Sequence, residues 1–159
     1  MIKTDIICVG KIKERYLEDA VNEYKKRLGS YVNLDIIEVK DEKTPENASE
    51  KEVMKILETE GERIKKYIDD RAYVFAMAIE GKQLDSETFA KHIDELGMTT
   101  SKLQFIIGGS LGIAEDIKKK SNELMSFSKM TFPHQLMRVI LLEQIYRAHK
   151  IIKDEPYHK

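Results

Sequence analysis

The chain has 159 residues, of which 42% are hydrophobic and 35% are charged, a size and balance that indicate one folded domain and exclude a disordered protein. Its net charge of −1 argues against a generally basic nucleic-acid binder. No apolar run approaches the roughly 20 residues that cross a bilayer, the start is too short and acidic for a signal peptide, and the lone Cys8 excludes a disulfide framework. We therefore expect a single-domain cytoplasmic protein.

The first quarter of the chain predicts a strand, a helix and a second strand. A short apolar run at 6–9, closed by Gly10, indicates a buried strand. Apolar residues at helical spacing follow over 17–28, and alternating apolar residues predict a strand over 32–39. The polar stretch 41–48 that comes next predicts a mobile loop.

The middle of the chain predicts a capped helix and a third strand. Ser49 and Glu52 have the spacing of a capping box, and helical periodicity continues from there to Ile68. An apolar run over 72–79 predicts a strand, which we expect the polar residues 80–82 to end.

The next third predicts two short helices and two strands. We expect a helix at 89–96, a strand at 103–107 that runs into a cluster of glycines, and a polar helix through Lys118. A fifth strand is predicted over 124–128.

The last helix is predicted over 134–152, with Pro133 at its first position, where a missing N–H is harmless. Its apolar residues cover more than one stripe, so the helix must be buried on two sides. In so small a domain the second side indicates another subunit, and we expect a homodimer. Strands alternating with helices predict an α/β fold with a mainly parallel sheet and helices on both faces.

Two loops are candidate ligand sites because loops after parallel strands bind ligands in α/β folds. The glycine cluster 108–112 follows a buried strand, although an ordinary tight turn explains it equally well. The segment 127–135 combines hydroxyls, a lysine and two phenylalanines, although it could equally be an apolar linker.

A third candidate is the polar face of the last helix together with the tail, including Arg138, Arg147, Tyr157 and His158. The alternatives are solvated arginines and a frayed terminus. The charge distribution favours this end of the chain for a polyanion, because residues 101–159 carry 10 basic and 6 acidic side chains. A solvated helix face around Lys118 explains part of that excess. The spacing of the four histidines indicates no metal site.

Four segments of the chain form a distinctive combination. They are Ile106-Ile107-Gly108-Gly109-Ser110-Leu111-Gly112, the run Ser126-Phe127-Ser128-Lys129-Met130-Thr131-Phe132-Pro133-His134-Gln135-Leu136-Met137-Arg138, the run Glu143-Gln144-Ile145-Tyr146-Arg147-Ala148, and the ending Pro156-Tyr157-His158-Lys159. Together they resemble one bacterial family, the large-subunit rRNA methyltransferases that methylate ring nitrogen 3 of a pseudouridine. The resemblance covers the whole chain.

The resemblance implies a SPOUT-class α/β fold with a deep C-terminal trefoil knot, and a homodimer. It implies S-adenosylmethionine as methyl donor, and a pseudouridine-bearing stem-loop of 23S rRNA in the assembled ribosome as substrate. It places Arg138, Arg147, Tyr157 and His158 near the acceptor base. The donor-binding residues that it implies are Met77, Gly108, Phe127, Ser128, Lys129, Met130, Thr131 and Phe132. Leucine is common in the family at the position of Met77, a change that conserves volume and apolar character.

The rival interpretation is a non-enzymatic, flavodoxin-like module that binds a nucleotide or a protein. Such a module would use the turn at 108–112 for a phosphate and would not distinguish S-adenosylmethionine from other nucleotides. Residue patterns without the resemblance lead only to a dimeric α/β domain.

Overall fold

A computed structural model describes all residues 1–159, which form five strands and five helices in alternation. The strands are β1 Ile2–Val9, β2 Val32–Val39, β3 Tyr73–Gln83, β4 Lys102–Ile107 and β5 Glu123–Ser126. The helices are α1 Arg15–Leu28, α2 Glu50–Lys65, α3 Ser86–Leu96, α4 Glu115–Lys120 and α5 His134–Ile152. The predicted order of elements is confirmed. The predicted loop at 41–48 contains no helix or strand.

The five strands form one sheet in the order β2-β1-β4-β3-β5, and every neighbouring pair is parallel. The predicted parallel α/β sheet is confirmed. Because all strands run in one direction, their carboxyl ends and the loops that follow them meet at one edge.

Each face of the sheet buries its own apolar core. Side chains of β1 alternate between the faces, so that Ile6 and Cys8 contact one core while Ile7 and Val9 contact the other. The first core is covered by α1, α3 and α5, which contribute residues such as Val21, and the second by α2 and α4. This confirms the prediction of helices on both faces.

Side-chain caps fix the starts of two helices. Ser49 Oγ accepts a hydrogen bond from the Glu52 amide, and the Glu52 carboxylate accepts one from the Ser49 amide, as the capping box predicts. Asp85 caps α3 by accepting from the Thr88 amide at 2.7 Å. The predicted position of Pro133 is wrong by one residue. Its ψ of 132° is extended, so it lies just before the first turn of α5 as the N-cap.

The prediction that β3 ends at residues 80–82 is wrong, because the strand continues to Gln83. Beyond a register shift after Met77, residues Lys82 and Gln83 pair with the end of β5. Gly81 permits β3 to pass this close to β5. A Cβ atom there would lie 2.7 Å from the backbone carbonyl carbon of Leu124, closer than real Cβ contacts allow. The glycine that suggested a strand end is instead the point where two chain segments touch.

Other boundaries also differ from the sequence prediction, since β1 begins at Ile2 rather than at residue 6 and α3 at Ser86 rather than at residue 89. Helix α2 ends at Lys65, where periodicity predicted more helix. The Tyr67 and Ile68 amides instead donate to the carbonyls three residues earlier and form a turn. The Gln104 side chain donates to the Tyr67 carbonyl and fixes this turn, a contact that local sequence does not reveal. Strand β5 ends at Ser126, two residues earlier than predicted, because the backbone then turns around the Ser126 side chain.

Helix α5 extends over the predicted residues and packs against α1 and α3. This protomer covers much of its apolar surface, including Leu141, Leu142 and Ile145. A remaining strip is only partly covered, and Leu136 in it is 36% exposed. Although α5 is long and rich in apolar residues, neither it nor any other helix meets the length and apolarity needed to cross a membrane.

Candidate functional site

A cavity of about 650 Å³ lies at the carboxyl ends of β4 and β5 and beside the register shift in β3. Three segments form its walls, namely residues 77–80 of β3, the glycine turn 107–113 and the loop 125–134. Met137 from the first turn of α5 closes one side. We call this space the first cavity. Its size and its mixture of apolar walls with exposed backbone groups are typical of sites for small molecules.

The glycine turn is built on a close contact of its own backbone. A Cβ atom on Gly108 would lie 2.3 Å from the carbonyl oxygen of Gly112, so no larger residue fits without moving the turn. Gly112 itself has a φ of +89°, and the Gly112 amide donates to the Gly109 carbonyl at 3.0 Å. The shape of the turn itself therefore requires Gly108. A ligand would depend on Gly108 only through that shape.

The loop after β5 is held by hydroxyl groups. Ser126 Oγ donates to the Ser128 carbonyl at 2.8 Å and accepts from the Ser128 amide, while Ser128 Oγ accepts from the Met130 amide at 3.0 Å. Such local bonds fix irregular backbone without a helix or strand. Phe127 and Phe132 reach the cavity from this frame.

Seven of the eight proposed donor-binding residues line the first cavity. They are Met77, Gly108, Phe127, Ser128, Met130, Thr131 and Phe132. The eighth, Lys129, lies on the same loop, but its side chain is exposed and takes no part in the wall. The fold therefore brings residues that are up to 55 positions apart in sequence to one cavity.

Arg138 is not on an open polar face of α5, because only 2% of its side chain is exposed. Its guanidinium donates to Glu38 at 2.6 Å and to the Gly10 carbonyl at 3.1 Å, at the ends of β2 and β1. Arg138 does not line the first cavity, whereas His134, one turn earlier, does. Burial, followed by the charge of Arg138, lowers the pKa of His134.

Arg147 lies nine residues after Arg138, about two and a half helical turns, so the two side chains lie on opposite sides of α5. Arg147 forms a separate cluster with the chain terminus. The Glu143 carboxylate accepts from Arg147 at 2.7 Å and from the Tyr157 hydroxyl at 2.7 Å. The Tyr157 ring packs edge-on against Tyr146 with centroids 4.8 Å apart. Burial and the hydrogen bond to Glu143 raise the pKa of Tyr157, which keeps the phenol protonated at neutral pH. The tail is therefore packed rather than frayed.

His158 joins this cluster to a second cavity, also of about 650 Å³. Arg147 lies 3.1 Å from Nδ1 of His158, and the Glu87 carboxylate lies 3.6 Å from Nε2. The second cavity shares Met125, Ser126, Phe127 and Phe132 with the first, so one wall separates them. Sequence reasoning missed Glu143 and this cavity. The spacing of four between Glu143 and Arg147 predicts a helix ion pair, but nothing local predicts Tyr157 as its third member.

The chain matches, over residues 2–158, the family model described as "Predicted SPOUT methyltransferase". Three curated proteins named "Ribosomal RNA large subunit methyltransferase H" are similar to it over nearly their whole length. The protein of Bifidobacterium adolescentis is 62% identical over 99% of this chain and 100% of its own. That of Clostridium beijerinckii is 61% identical over 97% and 98%, and that of Enterococcus faecalis is 52% identical over 99% and 100%.

A solved structure shares the fold at much lower identity. It is described as a probable methylase family protein from Haemophilus influenzae Rd KW20. The TM-score is 0.53 at 10% identity, and the match covers 95% of this chain and 66% of the other. At that identity the likeness supports the architecture alone.

Proposed function

Because this chain belongs to the SPOUT methyltransferase family, we propose that it methylates 23S rRNA with S-adenosylmethionine as the methyl donor. The acceptor is ring nitrogen 3 of a pseudouridine in the stem-loop at the subunit interface of the ribosome. One observation carries the proposal. Relatives named as large-subunit rRNA methyltransferases match the chain from end to end at 52–62% identity.

The first cavity is suited to the donor. Met77, Ile107 and Phe127 offer apolar surface for an adenine ring, and the backbone of the glycine turn and of the loop 126–132 offers polar groups for its edge. Two phenylalanine rings border the space, and aromatic faces attract cations. S-adenosylmethionine supplies an activated methyl group on a positively charged sulfur, so the protein has mainly to position the reactants.

Some residues of the site contact the reactants, and others hold those residues in place. His158 opens into the cavity next to the donor wall, and Arg147 and Tyr157 hold the tail that carries it. Arg138 is a positioning residue. It ties the start of α5, with His134 and Met137 of the donor wall, to Gly10 and Glu38.

The partners follow from the same proposal. We infer a homodimer in the cytoplasm, where ribosomes are, with the partly covered strip of α5 as its contact face. The positive charge of residues 101–159 lies in the part of the chain that forms the two cavities, whereas the remainder of the chain is acidic. This distribution suits contact with one large preformed RNA surface rather than tight binding to any RNA.

The test is transfer of radiolabelled methyl groups to 70S ribosomes from a bacterial strain that lacks its own enzyme of this type. The proposal predicts incorporation into 23S rRNA of intact ribosomes. Thermal-shift measurements with S-adenosylmethionine, FMN and ATP run in parallel, and stabilisation by the first alone is expected. Stabilisation by FMN or ATP without methyl transfer would support the flavodoxin-like binding module instead.

A further inference from the structure

The segment that joins β1 to α1 carries three cations that no acidic side chain pairs. Lys11, Lys13 and Arg15 are exposed, and none of them forms an ion pair within the chain. We call residues 11–15 the basic segment. Its three basic residues and one acidic residue, Glu14, give it a net charge of +2, whereas the whole chain carries −1. The segment is therefore a local excess of positive charge on a slightly negative protein.

The backbone of the basic segment is held in place from both sides. The Gly10 amide donates to the Val39 carbonyl at 2.8 Å, and the Gln135 side chain donates to the Lys11 carbonyl at 3.2 Å. Between the exposed cations, the Ile12 side chain packs against the first core. Because the backbone is fixed before any partner binds, only the long side chains lose freedom on contact, and this lowers the entropic cost of binding.

The basic segment lies beside the first cavity but lines neither cavity. Gln135, which binds Lys11, directly follows His134 in the wall of the first cavity. Burial is the main cause that lowers the pKa of His134, and the charges of Arg138 and Lys13 add to the effect. Lys13 is thus near enough to the cavity wall for its charge to act on a residue there.

Two further exposed side chains belong to the same end of the molecule. Lys129 lies between Ser128 and Met130 of the cavity wall and forms no ion pair. Tyr16, directly after the basic segment, is 71% exposed. Cations beside an exposed aromatic ring are typical of surfaces that bind single-stranded nucleic acid.

We propose that the basic segment, together with Lys129, binds the phosphate backbone of the RNA that flanks the acceptor nucleotide. This rests on the methyl-transfer function proposed above. Lysine and arginine side chains that contact phosphates release counterions, which supplies affinity without reading the base sequence. Because the whole chain has a net charge of −1, that affinity has to come from a local surface. Contact with the backbone beside the first cavity positions the RNA and leaves the cavity open for the donor.

Removing the three cations tests this contact. One variant combines Lys11→Ala, Lys13→Ala and Arg15→Ala, and kcat/KM for 70S ribosomes is measured between about 0.05 and 0.2 M salt at constant Mg²⁺. At the lowest salt concentration we expect a loss of at least about tenfold, which appears in KM, while kcat and the affinity for S-adenosylmethionine are unchanged. The plot of log kcat/KM against log salt concentration should be less steep by about two. A wild-type slope in this variant would overturn the proposal.

A matched variant controls for net charge. It combines Lys25→Ala, Lys26→Ala and Lys66→Ala, three exposed cations outside any ion pair at the ends of α1 and α2. These helix ends lie at the opposite edge of the sheet, because helices that connect parallel strands run against them. The control should keep kcat/KM within about threefold of wild type and keep the wild-type slope. Equal effects in the two variants would overturn the proposal, since net charge alone would then explain the loss.

Exchanging the cations for one another tests whether their charge is what matters. A variant with Lys11→Arg, Lys13→Arg and Arg15→Lys keeps all three charges, and phosphates attract both kinds of side chain. Its kcat/KM should stay within about threefold of wild type at every salt concentration. A loss as large as that of the alanine variant would overturn the proposal. So would dissociation of the alanine variant to monomers in sedimentation, because a second copy of the chain would then cover the segment. Absence of transfer by the wild type would instead contradict the methyl-transfer function itself.

Discussion

At the scale of single residues, the site depends on backbone contacts that leave no room for side chains. The Cβ position of Gly108 is taken by the carbonyl of Gly112, and that of Gly81 by the backbone of β5. Gly108 lies in the wall of the first cavity, and Gly81 directly follows the wall residues 77–80. A ligand held by such turns is recognised by their shape, so a change of one methyl group is enough to disturb it.

Gly108→Ala should therefore weaken binding of S-adenosylmethionine by at least about tenfold, since the turn must open to relieve the collision. Gly108→Val should abolish binding while the dimer stays folded. Titration calorimetry measures the affinity. Gly61→Ala, in α2, is the control, because a Cβ there makes ordinary contacts of 3.4 Å with Ala114 and Ile117. Unchanged affinity in Gly108→Ala would remove the turn from the donor site.

The buried side chain of His149 makes the stability of the protein depend on pH. Burial lowers the pKa of His149 to about 4, below the value of an exposed histidine. His149 therefore binds a proton more readily in the unfolded chain than in the native protein. The contribution of His149 to the free energy of unfolding is complete above about pH 6.5 and is lost as the pH falls toward 4. Between pH 7 and 4.5 this one group accounts for a loss of about 2.5 kcal/mol in the free energy of unfolding.

Urea denaturation of wild type and His149→Phe at both pH values tests this. The phenylalanine preserves a ring that can stack on Tyr31, which lies 6.2 Å from the His149 ring. The variant should lose about 2.5 kcal/mol less than wild type on acidification. Equal losses would mean that His149 binds protons equally readily in the native and the unfolded protein.

Among the elements, the tail beyond α5 is packed rather than loose, since Tyr157 binds Glu143 and His158 lines the second cavity. Deletion of residues 156–159 removes Tyr157 and His158 but leaves both donor loops untouched. Affinity for S-adenosylmethionine should persist, while methyl transfer to ribosomes should fall at least about a hundredfold. Deletion of Lys159 alone, whose side chain is exposed, is the control and should keep the full rate. A full rate in the longer deletion would mean that Tyr157 and His158 take no part in methyl transfer.

Most elements could be predicted because their signals are local. Apolar runs predicted strands such as β1 and β3, alternation predicted β2, and the Ser49–Glu52 box marked the start of α2. The errors arose where distant residues decide the backbone. Strand β3 continues through Gly81 because β5 lies against it, and α2 stops early because Gln104 binds the Tyr67 carbonyl. The burial of Arg138 also depends on partners about 100 and 128 positions away.

At the scale of the whole molecule, the two cavities share one wall and face the same sheet edge. The partly covered strip of α5, which includes Leu136 and Ile140, lies beside them. Contact with a second copy along this strip would bury the apolar surface that one protomer leaves exposed. The active unit would then be the dimer.

Sedimentation at micromolar concentration should therefore give twice the chain mass of 18.5 kDa. Leu136→Asp should shift the protein toward monomers, because it places a charge in the contact. Met54→Asp, at a residue 70% exposed on α2, should not. A monomer mass for the wild type across this range would contradict the dimer.

Mass spectrometry of nucleosides directly tests transfer of a methyl group from S-adenosylmethionine to nitrogen 3 of a pseudouridine. The sample is 23S rRNA from enzyme-deficient ribosomes incubated with this protein and the donor. We expect a single new nucleoside, pseudouridine methylated at nitrogen 3, from the wild type and none from the variant that lacks residues 156–159. A methyl group on any other nucleoside, or unmodified rRNA after incubation with the wild type, would overturn the proposed function.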